Sequence, residues 1–108
     1  MRILFDQATP VPIKPYLELH SVYTAAQQGW DRLRNGDLLT VAERAGFDLL
    51  LTTDKNMRYQ QNLKGRTIAI VVLGNQQWPE LRAYIHLVVE AVNAATPGSY
   101  VEIEIPFK

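Results

Sequence analysis

The stretch Phe47–Met57, FDLLLTTDKNM, decides the fold. Phe47, Leu49, Leu50 and Leu51 form an apolar run, the pattern of a strand buried on both faces. Thr52, Thr53, Asp54, Lys55 and Asn56 follow at once, where such a strand would end. In open parallel α/β sheets, ligands bind just beyond the carboxyl ends of the strands. Asp54 therefore sits at a position suited to chemistry. The start of the chain repeats the pattern, with Arg2-Ile3-Leu4-Phe5 leading directly into Asp6. Two buried strands that each end on Asp predict two carboxylates at one edge of one sheet. That is a divalent-metal site in outline, because hard cations take oxygen ligands.

Working outward, strands and helices alternate. Arg2–Phe5 is the first strand. Val11–Leu19, bracketed by Pro10, Pro12 and Pro15, reads as a short helix with Thr9 as its N-cap. His20–Thr24 is a second strand, β-branched and aromatic at its centre. Trp30–Asn35 is a loop. Asn35-Gly36-Asp37 opens a helix whose apolar face is Leu38, Leu39, Val41, Ala42 and Ala45, and Gly46 ends it. Phe47–Thr53 is the third strand. Met57, Tyr59, Gln60 and Leu63 suggest a short helix closed by Gly65. Thr67–Leu73 is the most hydrophobic strand, Trp78–Ala95 a long helix, and Tyr100–Ile105 an alternating strand suited to a sheet edge. This order predicts an α/β fold: a three-layer α/β/α sandwich around a mostly parallel sheet, in one domain spanning residues 1–108.

Bulk properties agree with that architecture. The 108 residues are 47% hydrophobic, enough for a core, and 11 basic residues balance 11 acidic ones, so net charge gives no pointer to nucleic acid. The chain has no cysteine, which excludes disulfides and thiolate metal sites and suits a cytoplasmic protein. Its N-terminus lacks the features of a signal peptide, and no apolar run approaches the length of a membrane span. Neither G-x-G-x-x-G nor G-x-x-x-x-G-K-[ST] occurs. The two histidines, His20 and His86, form no triad or His-rich metal site, and His20 is expected to be structural.

The segments MRILFDQATP, HSVYTAAQQGW, NGDLLTVAERAGFD and LLLTTDKNMRYQQNLKGRTIAIVVL together resemble PIN-like proteins of a small bacterial, toxin-like group. The similarity covers roughly residues 1–73 and extends more loosely through the C-terminal helix. It implies a compact α/β/α nuclease fold that binds Mg²⁺ or Mn²⁺ through carboxylates and cleaves RNA, often as the toxin of a toxin–antitoxin pair. Carried over position by position, Asp6, Asp37 and Asp54 match the catalytic, metal-binding carboxylates. Thr52 matches the hydroxyl residue that accompanies the last of them. Asn56 falls where many PIN domains have a further Asp, and Gln7 where many toxin members have Thr or Ser. An amide oxygen can ligate a metal but brings no charge. The resemblance therefore leaves two functions open: a metal-dependent ribonuclease, or a catalytically weakened PIN-like binding or regulatory module.

The residues themselves carry part of this case. Phosphodiester hydrolysis needs an activated water and neutralisation of charge on the phosphoryl oxygens, and Mg²⁺ supplies both. Thr52, Lys55 and Arg58 are candidates to contact the substrate, the last two through phosphate, and Tyr59 to stack on a base. Plainer roles exist for several positions. Asp37 suits a helix start, where the macrodipole favours a carboxylate. Asp6 suits a turn. Glu43 reads as a solvated face residue, Asp48 as a turn residue at the wrong end of its strand, Trp30 as packing, and the run Lys55, Arg58, Lys64, Arg66 as solvated surface. The exposed alternation of the last strand and the apolar helix before it are compatible with a homodimer.

Overall fold

The computed structural model describes residues 1–59 and 63–107, and of Asn35 and Tyr59 the backbone only. Five strands form one sheet: β1 (Arg2–Phe5), β2 (Ser21–Thr24), β3 (Leu49–Thr52), β4 (Ala69–Leu73) and β5 (Tyr100–Ile103). All are parallel, in the order β2-β1-β3-β4-β5. Among the described residues three α-helices accompany them: α1 (Asn35–Arg44), α2 (Trp78–Leu81) and α3 (Ile85–Ala94).

The unbroken apolar runs are explained by burial on both faces. Ile3, Phe5, Leu49, Leu51, Val71 and Leu73 point to one side, where they pack with Ile13 and Leu17 and with Leu81, Val88 and Val92 of α2 and α3. Leu4, Leu50, Ile70 and Val72 point to the other, against Leu38, Leu39 and Ala42 of α1 and against Met57. The sheet is thus the middle of three layers. No described helix is long and apolar enough to cross a membrane.

Local chemistry sets the element boundaries. Helix α1 ends in a Schellman turn: Gly46 has φ +85°, its N–H donates to the Glu43 carbonyl, and the Phe47 N–H donates to the Ala42 carbonyl. Phe47 lies before β3 rather than in it, edge-on to Tyr23 and Trp30. Asp48 accepts a bond from the Arg2 N–H at 2.8 Å, at the amino end of the sheet. Expected as a turn residue, Asp48 also ties the start of β1 to that of β3, and Trp30 is the packing residue expected.

Several expectations are corrected. The short helix expected over Val11–Leu19 is a 3₁₀ helix over Val11–Leu17. Pro12 and Pro15 cannot donate the backbone bonds a regular helix requires. Thr9 is not its cap; its buried hydroxyl donates to the Leu51 carbonyl at 2.9 Å and ties this segment to β3. The long helix breaks into α2, a 3₁₀ turn over Arg82–Tyr84, and α3; no Pro or Gly explains the break. Finally, Glu43 and Arg66 are not solvated. Their side chains are 21% and 11% exposed and pair at 2.7 Å. Glu43 also accepts bonds from the Thr67 N–H at 2.7 Å and hydroxyl at 3.1 Å, and from the Ile68 N–H at 3.3 Å. The short helix expected near Met57 is a 3₁₀ turn over Lys55–Tyr59; its proposed continuation through Gln60 lies outside the described residues.

Candidate functional site

The strand order reverses direction between β1 and β3. From β1 the chain moves out to β2 on one side and returns through β3 to the other. Loops leaving the carboxyl ends of β1 and β3 diverge at such a switch point and open a crevice. Asp6 and Asp54 lie on those two loops.

Their placement follows from the ladder. Phe5 pairs with Leu51, so Thr52 stands one residue beyond, beside Asp6. The Asp6 N–H donates to the Leu51 carbonyl at 3.0 Å and continues the ladder. The Thr52 hydroxyl donates to Asp6 Oδ2 at 2.8 Å and accepts the Asp54 N–H at 3.1 Å. One fully buried hydroxyl thus fixes a carboxylate on one loop and a backbone on the other. Asp6 Oδ1 accepts the Gln7 N–H at 2.8 Å, and Asp54 Oδ1 accepts the Asn56 N–H at 2.9 Å.

A polar cleft of about 410 Å³ opens here, lined by Asp6, Gln7, Ala8, Asp31, Leu33, Arg34, Thr53, Asp54 and Asn56. A larger groove of about 720 Å³ lies between the first 3₁₀ segment and β2, lined by Val11, Pro12, Pro15, Leu17, Val22 and a few polar residues. It contains neither strand-end carboxylate; both line the smaller cleft.

The sequence candidates divide. Asp6, Asp54 and Asn56 line the cleft, and Thr52 underlies it. Asp37 does not line it; this residue is exposed in the first turn of α1, where a carboxylate complements the helix dipole. Lys55 and Arg58 do not line it either. The Lys55 ammonium lies 5.3 Å from the centre of the Phe107 ring, and Arg58 pairs with Glu102 on β5 at 3.6 Å. The side chain of Tyr59 lies outside the described residues. His20 is structural, its Nε2 2.7 Å from Asn93 Oδ1 and its Nδ1 3.2 Å from the N-terminal nitrogen.

Two charged cleft residues escaped the sequence reading, Asp31 and Arg34. Both sit in the loop from β2 to α1, which shows no periodicity. A signal was available nonetheless: in an all-parallel sheet every strand-to-helix loop emerges at the same edge, so a charged loop after β2 belongs with those after β1 and β3. The loop is well anchored. The Trp30 N–H donates to the Ala25 carbonyl at 2.8 Å, the Leu33 N–H to the Trp30 carbonyl at 3.0 Å, and the Trp30 ring meets Phe47 edge-on.

The side-chain oxygens lining the cleft are carboxylate, amide and hydroxyl oxygens, the donor types that hard cations take. Among the described residues no three His, Cys, Asp or Glu side chains stand together as a ready-made metal centre. Mg²⁺ commonly needs less, being held by one or two carboxylates, water and substrate phosphate.

A scan against family models and searches of curated proteins and solved structures find no match for this chain.

Thr52→Val tests the buried joint. It keeps the shape but removes the hydroxyl, leaving the Asp54 N–H without its acceptor, and is expected to cost about 1–2 kcal/mol of stability in urea denaturation. Thr52→Ser should restore the stability.

Proposed function

We propose that the chain is a Mg²⁺- or Mn²⁺-dependent endoribonuclease acting on single-stranded RNA in the cytoplasm, as the toxin component of a toxin–antitoxin pair. One observation carries this reading: Asp6 and Asp54 flank the switch point of a parallel sheet, joined through Thr52, on a polar cleft. The ribonuclease and toxin assignments draw on the resemblance to PIN-like proteins.

Asp6 and Asp54 would hold the cation, with the Asn56 amide as a neutral oxygen donor. The bound ion supplies a Lewis acid for the phosphoryl oxygens and lowers the pKa of water. The chain's own residues provide orientation. Thr52 and the Gln7 N–H occupy one oxygen each of Asp6, which fixes its rotamer. The Asn56 N–H does the same for Asp54. A receiver-like phosphoacceptor mechanism is less well supported, since it needs a hydroxyl and a Lys after later strands. Here Gly74 and Asn75 follow β4, and Glu104 and Ile105 follow β5.

Asn56 in the cleft favours the second reading, a module that binds RNA or a partner but cleaves weakly. Labelled single-stranded RNA separates the two. The nuclease reading expects cleavage with Mg²⁺ or Mn²⁺ and none in EDTA, together with heat on calorimetric titration of either ion. Binding without cleavage would leave the module. Protein that neither cleaves RNA nor binds a divalent ion would sink the nuclease reading and leave the module.

A further inference from the structure

We propose that Arg34 is the phosphate-binding residue of the cleft and positions an RNA backbone against Asp6 and Asp54; this rests on the nuclease reading above.

Arg34 is the only cationic side chain among the described residues that line the cleft. Its guanidinium has no hydrogen bond or ion pair among the described residues. Three of the other arginines are committed elsewhere: Arg2 to the Ala45 carbonyl and the Phe47 ring, Arg58 to Glu102, and Arg66 to Glu43. An exposed guanidinium in a carboxylate-lined cleft is available to an incoming anion, and its planar fork matches two phosphate oxygens.

Charge supports the assignment. Three carboxylates, Asp6, Asp31 and Asp54, line the cleft and would repel a phosphodiester. One divalent cation offsets two of those charges, and Arg34 offsets the third. A nucleic acid can then approach without net repulsion.

The backbone holds Arg34 in position. Its carbonyl accepts the Asp37 N–H at 3.1 Å and the Leu38 N–H at 3.4 Å, which anchors it at the start of α1. These bonds use the backbone alone, so substitution of the side chain leaves the fold intact. Arg34 thereby takes the role that the sequence suggested for Lys55 and Arg58, which face Phe107 and Glu102.

The test is anisotropy of a fluorescein-labelled single-stranded RNA, with Ca²⁺ in place of Mg²⁺ and intact RNA verified on a gel, across a range of KCl. Arg34→Ala should weaken binding about tenfold and reduce the slope of log affinity against log salt by about one. Arg34→Lys should fall between, keeping the charge but losing the fork. Arg82→Ala, which removes an exposed charge from the 3₁₀ turn before α3, should bind as wild type. In Mg²⁺, Arg34→Ala should raise KM with little change in kcat. If wild type binds or cleaves RNA and Arg34→Ala matches it in affinity and salt slope, this inference is overturned and the nuclease reading stands. Equal losses in Arg34→Ala and Arg82→Ala would also overturn it, by reducing the effect to bulk charge. Wild-type protein that neither binds nor cleaves overturns both.

Discussion

Asp54→Asn is expected to lower RNA cleavage by roughly three orders of magnitude, equivalent to about 4 kcal/mol of transition-state stabilisation. The substitution is nearly isosteric, and the amide oxygen can still accept the Asn56 N–H that Asp54 Oδ1 accepts now. The fold should survive, with an unchanged thermal melt, while the charge that holds the cation is lost. Calorimetry should show a matching loss of Mn²⁺ binding. The converse change, Asn56→Asp, adds a carboxylate to the cleft and should leave cleavage unchanged or raise it. Contaminating ribonuclease is the chief hazard. Cleavage that persists equally in Asp54→Asn protein prepared in the same way would be contamination. Failure of wild type and Asn56→Asp alike to cleave with either ion would defeat the nuclease reading.

The second large effect is on stability. Glu43→Ala is expected to cost about 3 kcal/mol, read as a lower urea midpoint at constant slope. Its carboxylate receives the Arg66 guanidinium and both the N–H and hydroxyl of Thr67. Arg66 in turn donates to the Thr40 hydroxyl and the Gly36 carbonyl. Removing Glu43 strands a mostly buried guanidinium between α1 and the segment entering β4. Burial alone would raise the Glu43 pKa. The Arg66 guanidinium, the Thr67 and Ile68 N–H groups and the Thr67 hydroxyl outweigh it and hold the carboxyl below its ordinary value of 4.5. A carboxyl that is more acidic folded than unfolded stabilises the native state above its unfolded pKa. That contribution fades as pH falls through the folded value. Wild type should therefore lose stability below about pH 4.5 more steeply than Glu43→Gln. Parallel pH profiles for the two proteins would refute the assignment.

Legibility in the sequence tracked the strength of local patterns. β1, β3 and β4 were readable because a run buried on both faces has no polar interruption until it stops, and the stop placed Asp6 and Asp54 at one edge. Gly46 was readable because a left-handed turn after a helix favours glycine. Asp31 and Arg34 were missed because a loop without periodicity reveals its direction only once the strands around it are known to be parallel. Glu43 was misread for a related reason. Helical geometry placed it away from the Asp37 face, but its partner Arg66 lies 23 residues on, in another loop. Lys55 and Arg58 were close to Asp54 in sequence, yet the 3₁₀ turn after β3 carries them toward β5 and the C-terminal Phe107.

The Thr52–Asp6 hydrogen bond joins residues 46 positions apart. Neither loop holds that geometry alone, since Asp6 is seated by the Leu51 carbonyl and by a hydroxyl at the end of β3. The carboxylate pair is therefore a product of the β1–β3 docking step and cannot precede it during synthesis. A growing chain emerges without its site and acquires it only when the first and third strands meet, a long-range closure that is slow compared with helix formation. Whatever reaction the cleft performs is withheld from the nascent polypeptide by the topology of the sheet.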